Sequence, residues 1–150
     1  MYLIVLFYDV LTHTICHSPR STQIPQYILD DAIHGENGVA TRVVVTQPRR
    51  LAAISVSQRV AAERGEETGA SVGYRVKMKS APPRGWGANI EFCTTGILLR
   101  RLQQDPALSD VSHVIIDEVH ERDINTDFLR KPVAHVLLVT SSCLLPRLRS

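Results

Sequence analysis

Hydrophobic positions along this chain form short continuous runs, separated by stretches with helical spacing. The runs predict five buried strands, at residues 2–11, 42–46, 72–76, 89–93 and 113–116. Apolar residues spaced three and four apart predict helices at residues 22–33, 48–64 and 96–104. Because the strands and helices alternate, the connections predict right-handed crossovers between parallel strands. The predicted fold class is therefore α/β, a three-layer sandwich around a mainly parallel sheet.

Each predicted helix carries apolar residues expected to pack on that sheet. In the first helix, Pro25 is expected in the first turn, where a missing N–H costs nothing. Prolines and glycines predict a loop at residues 80–87. The residues predicted to face the core are Ile24, Tyr27, Ile28 and Ala32 in the first helix, Leu51, Ile54, Val56, Val60 and Ala61 in the second, and Ile97, Leu98 and Leu102 in the third.

The apolar run at residues 2–11, YLIVLFYDVL, raises the question of a targeting signal. A secretory signal has positive residues before its apolar core and small residues at a cleavage site after it, and neither is found here. Asp9 interrupts the run, which is also too short to span a bilayer. We therefore expect a strand here, and no membrane segment.

Composition indicates a globular domain of ordinary polarity. The 150 residues are 44% hydrophobic and 21% charged, with a net charge of +2, which argues against a disordered or collagen-like chain. This charge balance neither requires nor excludes a nucleic-acid partner. Three widely spaced cysteines suggest no disulfide framework. We therefore expect a reducing compartment, the nucleus or the cytoplasm.

Two adjacent carboxylates follow the last predicted strand, in HVIIDEVHERD at residues 113–123. Ligands of open α/β sheets bind at the carboxyl ends of strands, where Asp117 and Glu118 would lie. Adjacent strand residues point to opposite sides, so the two carboxylates would have different tasks. One would hold a hydrated Mg²⁺ beside a triphosphate, and the other would orient or deprotonate the attacking water. The alternative is an acidic loop without chemistry.

Two further strand ends carry groups suited to phosphate. TQPRR, at residues 46–50, and CTTGILLRRL, at residues 93–102, each join a strand to a helix start. Free N–H groups at a helix start bind phosphate, and guanidinium groups do so as well. Two such turns on neighbouring strands suit a polyanion backbone better than one small ligand. For Arg100 and Arg101 a solvated helix face is the favoured interpretation, because adjacent residues on a helix diverge.

Several motifs together resemble one family. TQPRRLAAISVSQRVAAERGEE, VGYRVK, FCTTGILLRRL, VSHVIIDEVHERD and NTDFL are similar to the first RecA-like domain of DEAH-box RNA helicases, in the DEVH/DEIH branch that includes RNA helicase A. The resemblance covers residues 21–129. It implies a P-loop NTPase fold in which two RecA-like domains hydrolyse ATP or another nucleoside triphosphate between them and move along RNA.

The resemblance also implies roles for individual residues. Asp117 would bind Mg²⁺ through water, with Ser21 supplying a hydroxyl to the same metal, and Glu118 would be the catalytic base. Asp117 and Glu118, with Ser21, would thus form the nucleotide site, and His120 would couple it to the partner domain. The backbone of single-stranded RNA would be held by Arg49, Arg50, Thr94, Thr95 and Gly96.

The segment before Thr22 departs from the family. The phosphate loop GxxGxGK[ST] would end at Ser21, but Arg20 stands at its lysine, and Pro19, His17 and Thr14 stand at its glycines. Glycines allow consecutive N–H groups to point at phosphate, whereas proline has no N–H and arginine does not replace a compact ammonium. Residues 1–20 are therefore predicted to be a divergent segment that replaces the phosphate loop.

Residues 130–150 diverge as well. Lys131 and Pro132 break the expected helix, and LLVTSSC comes too early for the SAT motif of the family. We expect an incomplete RecA-like domain over residues 21–129 and no second RecA-like domain. Three hypotheses stay open at this point: an ATP-hydrolysing helicase segment, an RNA-binding fragment without catalysis, and a truncated product that does not fold stably.

Cys93 ends a predicted strand, within FCTTG. A free cysteine in this position is more often a small apolar core residue than a reactive one. We therefore expect Cys93 to pack in the core as a small apolar residue.

Overall fold

Nine helices and strands make up the part of the chain that the computed structural model describes, namely residues 4–7, 19–35, 41–84 and 87–117. Side chains are described from residue 21 onwards. In chain order the elements are β1 (Ile4–Phe7), α1 (Pro19–His34), β2 (Arg42–Gln47), α2 (Arg50–Glu63), β3 (Val72–Val76), β4 (Lys79–Ala81), β5 (Asn89–Thr94), α3 (Thr95–Gln104) and β6 (His113–Ile116).

The strands form one sheet in the order β1-β6-β2-β5-β3-β4. Every neighbouring pair is parallel except β3 and β4, which form an antiparallel hairpin. β6 lies between β1 and β2, although it comes last in the described chain. Parallel neighbours require crossover connections, and the helices provide them. The predicted α/β class with a mainly parallel sheet is confirmed.

Apolar side chains cover both faces of the sheet and create two cores. On β2, Val43 and Val45 belong to a core that includes Leu29 of α1 and Val60 of α2. Val44 points to the other face, into a core formed with α3. Successive strand residues alternate between faces, so this continuous apolar run serves both cores. The three-layer arrangement is confirmed, with α1 and α2 on one face and α3 on the other.

Most residues predicted to face the core from the helices do so, namely Ile24, Ile28, Ile54, Val56, Val60, Ala61, Ile97, Leu98 and Leu102. Two predicted residues do not. Tyr27 is 66% exposed and Leu51 is 79% exposed, although both were predicted to face the core. The residues buried in their place are Leu29 in α1 and Ala53 in α2, both fully inaccessible. Each lies two residues after the predicted one, which is about 200° further around a helix. The predictions for Tyr27 and Leu51 are therefore wrong.

Helix α1 also begins earlier than predicted, at Pro19 instead of Thr22. Pro25 consequently lies in the second turn and not in the first. A proline there removes one hydrogen bond from the helix ladder. Its ring is buried against the core, which offsets part of that loss.

The hairpin of β3 and β4 replaces part of the predicted loop. Ser80 and Ala81 belong to β4 and pair with β3. The turn between the strands contains Met78, with a φ of 69°. The hairpin folds back so closely that a Cβ at Gly73 would collide with the Ala81 carbonyl and with Pro83. Glycine is therefore required at position 73 for the hairpin to close.

Strand β1 comes from the apolar run at residues 2–11. Ile4–Phe7 pairs in parallel with His113–Ile116 of β6. The strand prediction for this run is thus confirmed over four residues. Among the helices described here, none is both long and apolar enough to cross a membrane.

A buried leucine of α1 and an exposed leucine of α2 provide a matched test of the fold. Leu29→Ala should lower the free energy of unfolding by about 2–5 kcal/mol, since it opens a cavity at a fully buried site. Leu51→Ala makes the same change on an exposed helix surface and should cost less than about 0.5 kcal/mol. Urea denaturation followed by circular dichroism measures both. Equal losses in the two variants would contradict the described orientation of the helices.

Candidate functional site

Three neighbouring strands end side by side and form the candidate site. Gln47, at the end of β2, is in register with Thr94, at the end of β5. Thr46 is in register with Ile116 of β6, so Asp117 follows on the other side of Gln47. By strand alternation all three side chains lie on the face covered by α1 and α2. We call Asp117, Gln47 and Thr94 the carboxyl-edge row.

Within this row Asp117 is held by its neighbour. The Gln47 side-chain amide donates a hydrogen bond from Nε2 to Oδ2 of Asp117 at 2.6 Å. The backbone N–H of Asp117 donates to the Thr46 carbonyl at 3.4 Å. Gln47 is 4% exposed and Asp117 is 8% exposed. A buried charge needs such partners, and the result is a carboxylate with a fixed orientation at the strand end.

Two helices begin directly beyond the row. α2 starts at Arg50 after N-cap Arg49, and α3 starts at Thr95 after N-cap Thr94. Both N-cap residues are extended, and within the described chain neither side chain makes a capping hydrogen bond. Backbone N–H groups of the first turns therefore point towards the space beyond the sheet. The sequence prediction of two neighbouring helix starts at strand ends agrees with this geometry.

The residues predicted to bind RNA differ in exposure. Arg49 and Arg50 are exposed, whereas Thr94 and Gly96 are partly exposed. A Cβ built on Gly96 would meet open space within the described structure. Thr95 is buried, with 4% of its surface exposed. The Thr95 side chain therefore belongs to the interior, and the surface at this turn comes from its neighbours.

Of the residues predicted for the nucleotide site, the structure describes Asp117 and Ser21. Ser21 is the third residue of α1 and is partly exposed. Because α1 leads from β1 to the parallel strand β2, its first turn lies towards the carboxyl edge of the sheet. Glu118 and His120 lie outside the described residues. In the described ranges there is no group of three or more His, Cys, Asp or Glu residues that could hold a metal ion. Asp117 and Ser21 offer oxygen atoms, which are the ligands that Mg²⁺ prefers.

Arg101 has a different environment from the predicted solvated face. It forms ion pairs with Asp110 and with Glu91, the latter at 3.7 Å. Glu91 is 8% exposed and also pairs with Arg75 at 3.3 Å. Arg100 is exposed, as predicted. Arg101 therefore balances the buried charge of Glu91 instead of facing solvent.

These ion pairs line a cavity of about 190 Å³ on the α3 side of the sheet. Its walls include Arg42 and Asn89, the first residues of β2 and β5. The cavity thus lies at the opposite ends of these strands from Asp117. Its guanidinium groups already face Glu91 and Asp110, so most of its charge is balanced internally.

Cys93 is buried, with 1% of its surface exposed, and packs in the core beneath α3. Burial, reinforced by the negative charge of Glu91, raises the pKa of the Cys93 thiol to about 12. A thiol with such a pKa is uncharged at neutral pH and a poor nucleophile. The prediction that Cys93 packs in the core as a small apolar residue agrees with this environment.

Gln47 is the residue that the sequence interpretation missed. It was treated as part of TQPRR, with the chemistry assigned to the arginines after it. One signal was available. Gln47 is two residues after Val45 and four after Val43, so its side chain lies on the same face of the sheet as theirs. A polar side chain on a face covered by helices needs a hydrogen-bond partner. Its partner Asp117 is 70 residues away, and no local pattern identifies that pairing.

Comparisons with individual curated proteins give consistent matches, although no protein-family model matches the chain. The chain is 50% identical over 128 residues to the DExH-box ATP-dependent RNA helicase DExH3 of Arabidopsis thaliana, covering 85% of this chain and 10% of that protein. It is 56% identical over 110 residues to the ATP-dependent RNA helicase DHX30 of Gallus gallus, covering 73% and 9%. The chain therefore spans about a tenth of the length of these curated relatives.

The environment of Cys93 generates a test. In a Cys16→Ser, Cys143→Ser variant, Cys93 is the remaining thiol. At pH 8 a thiol of pKa about 12 is ionised to roughly one part in 10⁴, so a disulfide reagent should modify the folded chain at least about a thousandfold more slowly than the chain in urea. The rate should rise with pH while the fold persists. Equal rates with and without urea would contradict the described burial.

Proposed function

Since the chain belongs to the DExH-box ATP-dependent RNA helicases, as a segment of about a tenth of its relatives' length, we propose that it forms part of a RecA-like domain that binds a nucleoside triphosphate and RNA. The DEAH-box RNA helicase family that the motifs predicted is confirmed by these relatives. The observation that carries the proposal is the carboxyl-edge row, in which a fixed carboxylate stands beside two helix starts. For the longer protein we propose RNA unwinding as the activity and the nucleus or the cytoplasm as the location.

The nucleotide side of the site is proposed at β1 and β6. The buried Asp117 carboxylate would hold hydrated Mg²⁺, and the Ser21 hydroxyl would contact the same ion. A bound Mg²⁺ would neutralise charge on the phosphates of ATP. Glu118 is proposed to take the proton of the attacking water, and His120 to connect the site with a partner domain. The oxygen chemistry of the donor set supports this assignment.

The RNA side is proposed at the turns after β2 and β5. Arg49 and Arg50 would pair with phosphates, and N–H groups at the start of α2 and α3 would donate hydrogen bonds to phosphates of the same RNA backbone. Thr94 would contact the RNA backbone through its main chain and its hydroxyl. Gly96 and the buried Thr95 would contact it through their main chains. Such contacts do not distinguish one base from another, so the RNA binding would be largely independent of sequence.

The residues before Thr22 favour a second candidate function, RNA binding without catalysis. Pro19 and Arg20 replace a glycine and the lysine of the phosphate loop. Removing even one preorganised donor commonly costs about 10²–10³ in rate. We therefore propose that residues 21–129 retain the RNA surface and that this chain, without a normal phosphate loop, does not turn over ATP.

The nucleotide proposal is tested by titrating the chain with a fluorescent ATP analogue and Mg²⁺. We expect no RNA-stimulated phosphate release above background, because the phosphate cradle is altered. Micromolar binding that Asp117→Asn weakens would support a partly retained site. Circular dichroism of the same sample checks the fold, and an unfolded chain would establish the third hypothesis. RNA-stimulated phosphate release that disappears in Glu118→Gln would overturn the proposed lack of turnover.

The RNA proposal is tested with a labelled single-stranded RNA and fluorescence anisotropy. Arg49→Gln should weaken binding and reduce the salt slope of log K by about 0.7, the value for one lost contact with single-stranded phosphate. Arg59→Gln removes the same charge further along α2, where Arg59 pairs with Glu63, and should leave the slope unchanged. If both variants lose affinity equally, net charge and not the turn after β2 binds the RNA.

A further inference from the structure

The buried hydrogen bond between Gln47 and Asp117 joins the two sides of the proposed site. Gln47 is the last residue of β2 and lies two positions before Arg49, on the RNA side. Asp117 is the first residue after β6, on the nucleotide side. The two side chains meet at 2.6 Å although 70 residues separate them. Both are nine-tenths or more buried, so water competes poorly for this contact.

We infer that Gln47 is a positioning residue for the metal-binding carboxylate: its amide fixes the orientation of Asp117 and thereby sets the affinity of the site for a divalent cation. The inference rests on the function proposed above for Asp117. Gln47 would act through Asp117, because its amide bonds the carboxylate from the adjacent strand. The ligand class is a hard divalent cation, for which Mn²⁺ is a direct probe.

The geometry explains why the role falls to a glutamine. Gln47 and Asp117 extend in the same direction from neighbouring parallel strands, so a long side chain can reach Oδ2 across the pair. An amide donates without adding charge, whereas lysine or arginine would neutralise the carboxylate and compete with a cation. An apolar side chain would leave Oδ2 without this donor at a buried position. Groups that orient a ligand in this way commonly change metal affinity by 10–100-fold.

The test is a Mn²⁺ titration of the 150-residue chain, followed by paramagnetic broadening of its amide NMR signals. In the unaltered chain, Mn²⁺ should broaden the Asp117 backbone amide and the Gln47 side-chain amide first. The exposed side-chain amide of Gln103, near the end of α3, is the internal reference. Gln47→Met keeps the side-chain length but removes the donor, and should weaken Mn²⁺ binding at Asp117 about tenfold. Gln58→Met, at an exposed position of α2, is the matched control and should not change it.

A second variant guards against loss of structure. Gln47→Asn keeps the amide but shortens the side chain, so the donor no longer reaches Oδ2, and the same weakening is expected. Urea denaturation of each variant separates positioning from stability. A lower unfolding midpoint with an unchanged Mn²⁺ affinity would mean that Gln47 is only structural, and would overturn the inference.

The outcomes also separate this inference from the function on which it rests. If Asp117→Asn binds Mn²⁺ as the unaltered chain does, or if the folded chain shows no selective broadening, the metal role of Asp117 fails and the inference fails with it. If Asp117→Asn abolishes the broadening while Gln47→Met and Gln47→Asn leave it intact, the metal site stands and the positioning role alone is wrong.

Discussion

The parallel register between β2 and β6 determines what lies at the carboxyl edge of the sheet. Because Thr46 is aligned with Ile116, Gln47 meets Asp117, and through the register with β5 it also meets Thr94. A shift of one residue would turn each of these side chains to the other face. Burial of Val43, Val44 and Val45 in two different cores prevents such a shift, because apolar contacts on both faces would be lost. The geometry of the site is therefore a consequence of ordinary core packing.

Hydrophobic pattern was sufficient for the sheet and for most of the helix faces, but it misplaced Tyr27 and Leu51. The runs at β3 and β6 matched the strands residue for residue, since β-branched runs bounded by breakers have few alternatives. The pattern counted Tyr27 and Leu51 as core residues because they are large and apolar, and it missed Leu29 and Ala53. In α2 the buried side chains include Ala53, Ser57 and Ala61, which let the helix approach the sheet closely. A large side chain such as Leu51 could not occupy that surface.

The chemistry of the site was only partly accessible from the sequence, for a similar reason. Motifs located Asp117 and the turns after β2 and β5, because functional groups cluster at strand ends in this class of fold. The ion pairs of Glu91 with Arg75 and Arg101 could not be predicted, since each depends on how elements distant in sequence pack. Arg101 illustrates this. Its position on α3 suggests a solvent-exposed side chain, yet it pairs with the buried carboxylate of Glu91 on β5.

The position of β6 has a consequence for how the chain acquires its structure during synthesis. β6 is inserted between β1 and β2, so these two earlier strands do not neighbour each other in the sheet. Both must keep an unpaired edge until residues 113–116 have left the ribosome. Parallel sheets with such distant pairings form slowly and expose apolar strands meanwhile. A nascent chain that stalls before His113 would hold a four-stranded sheet fragment and the unpaired strand β1, whose exposed edges are a substrate for chaperones or for aggregation.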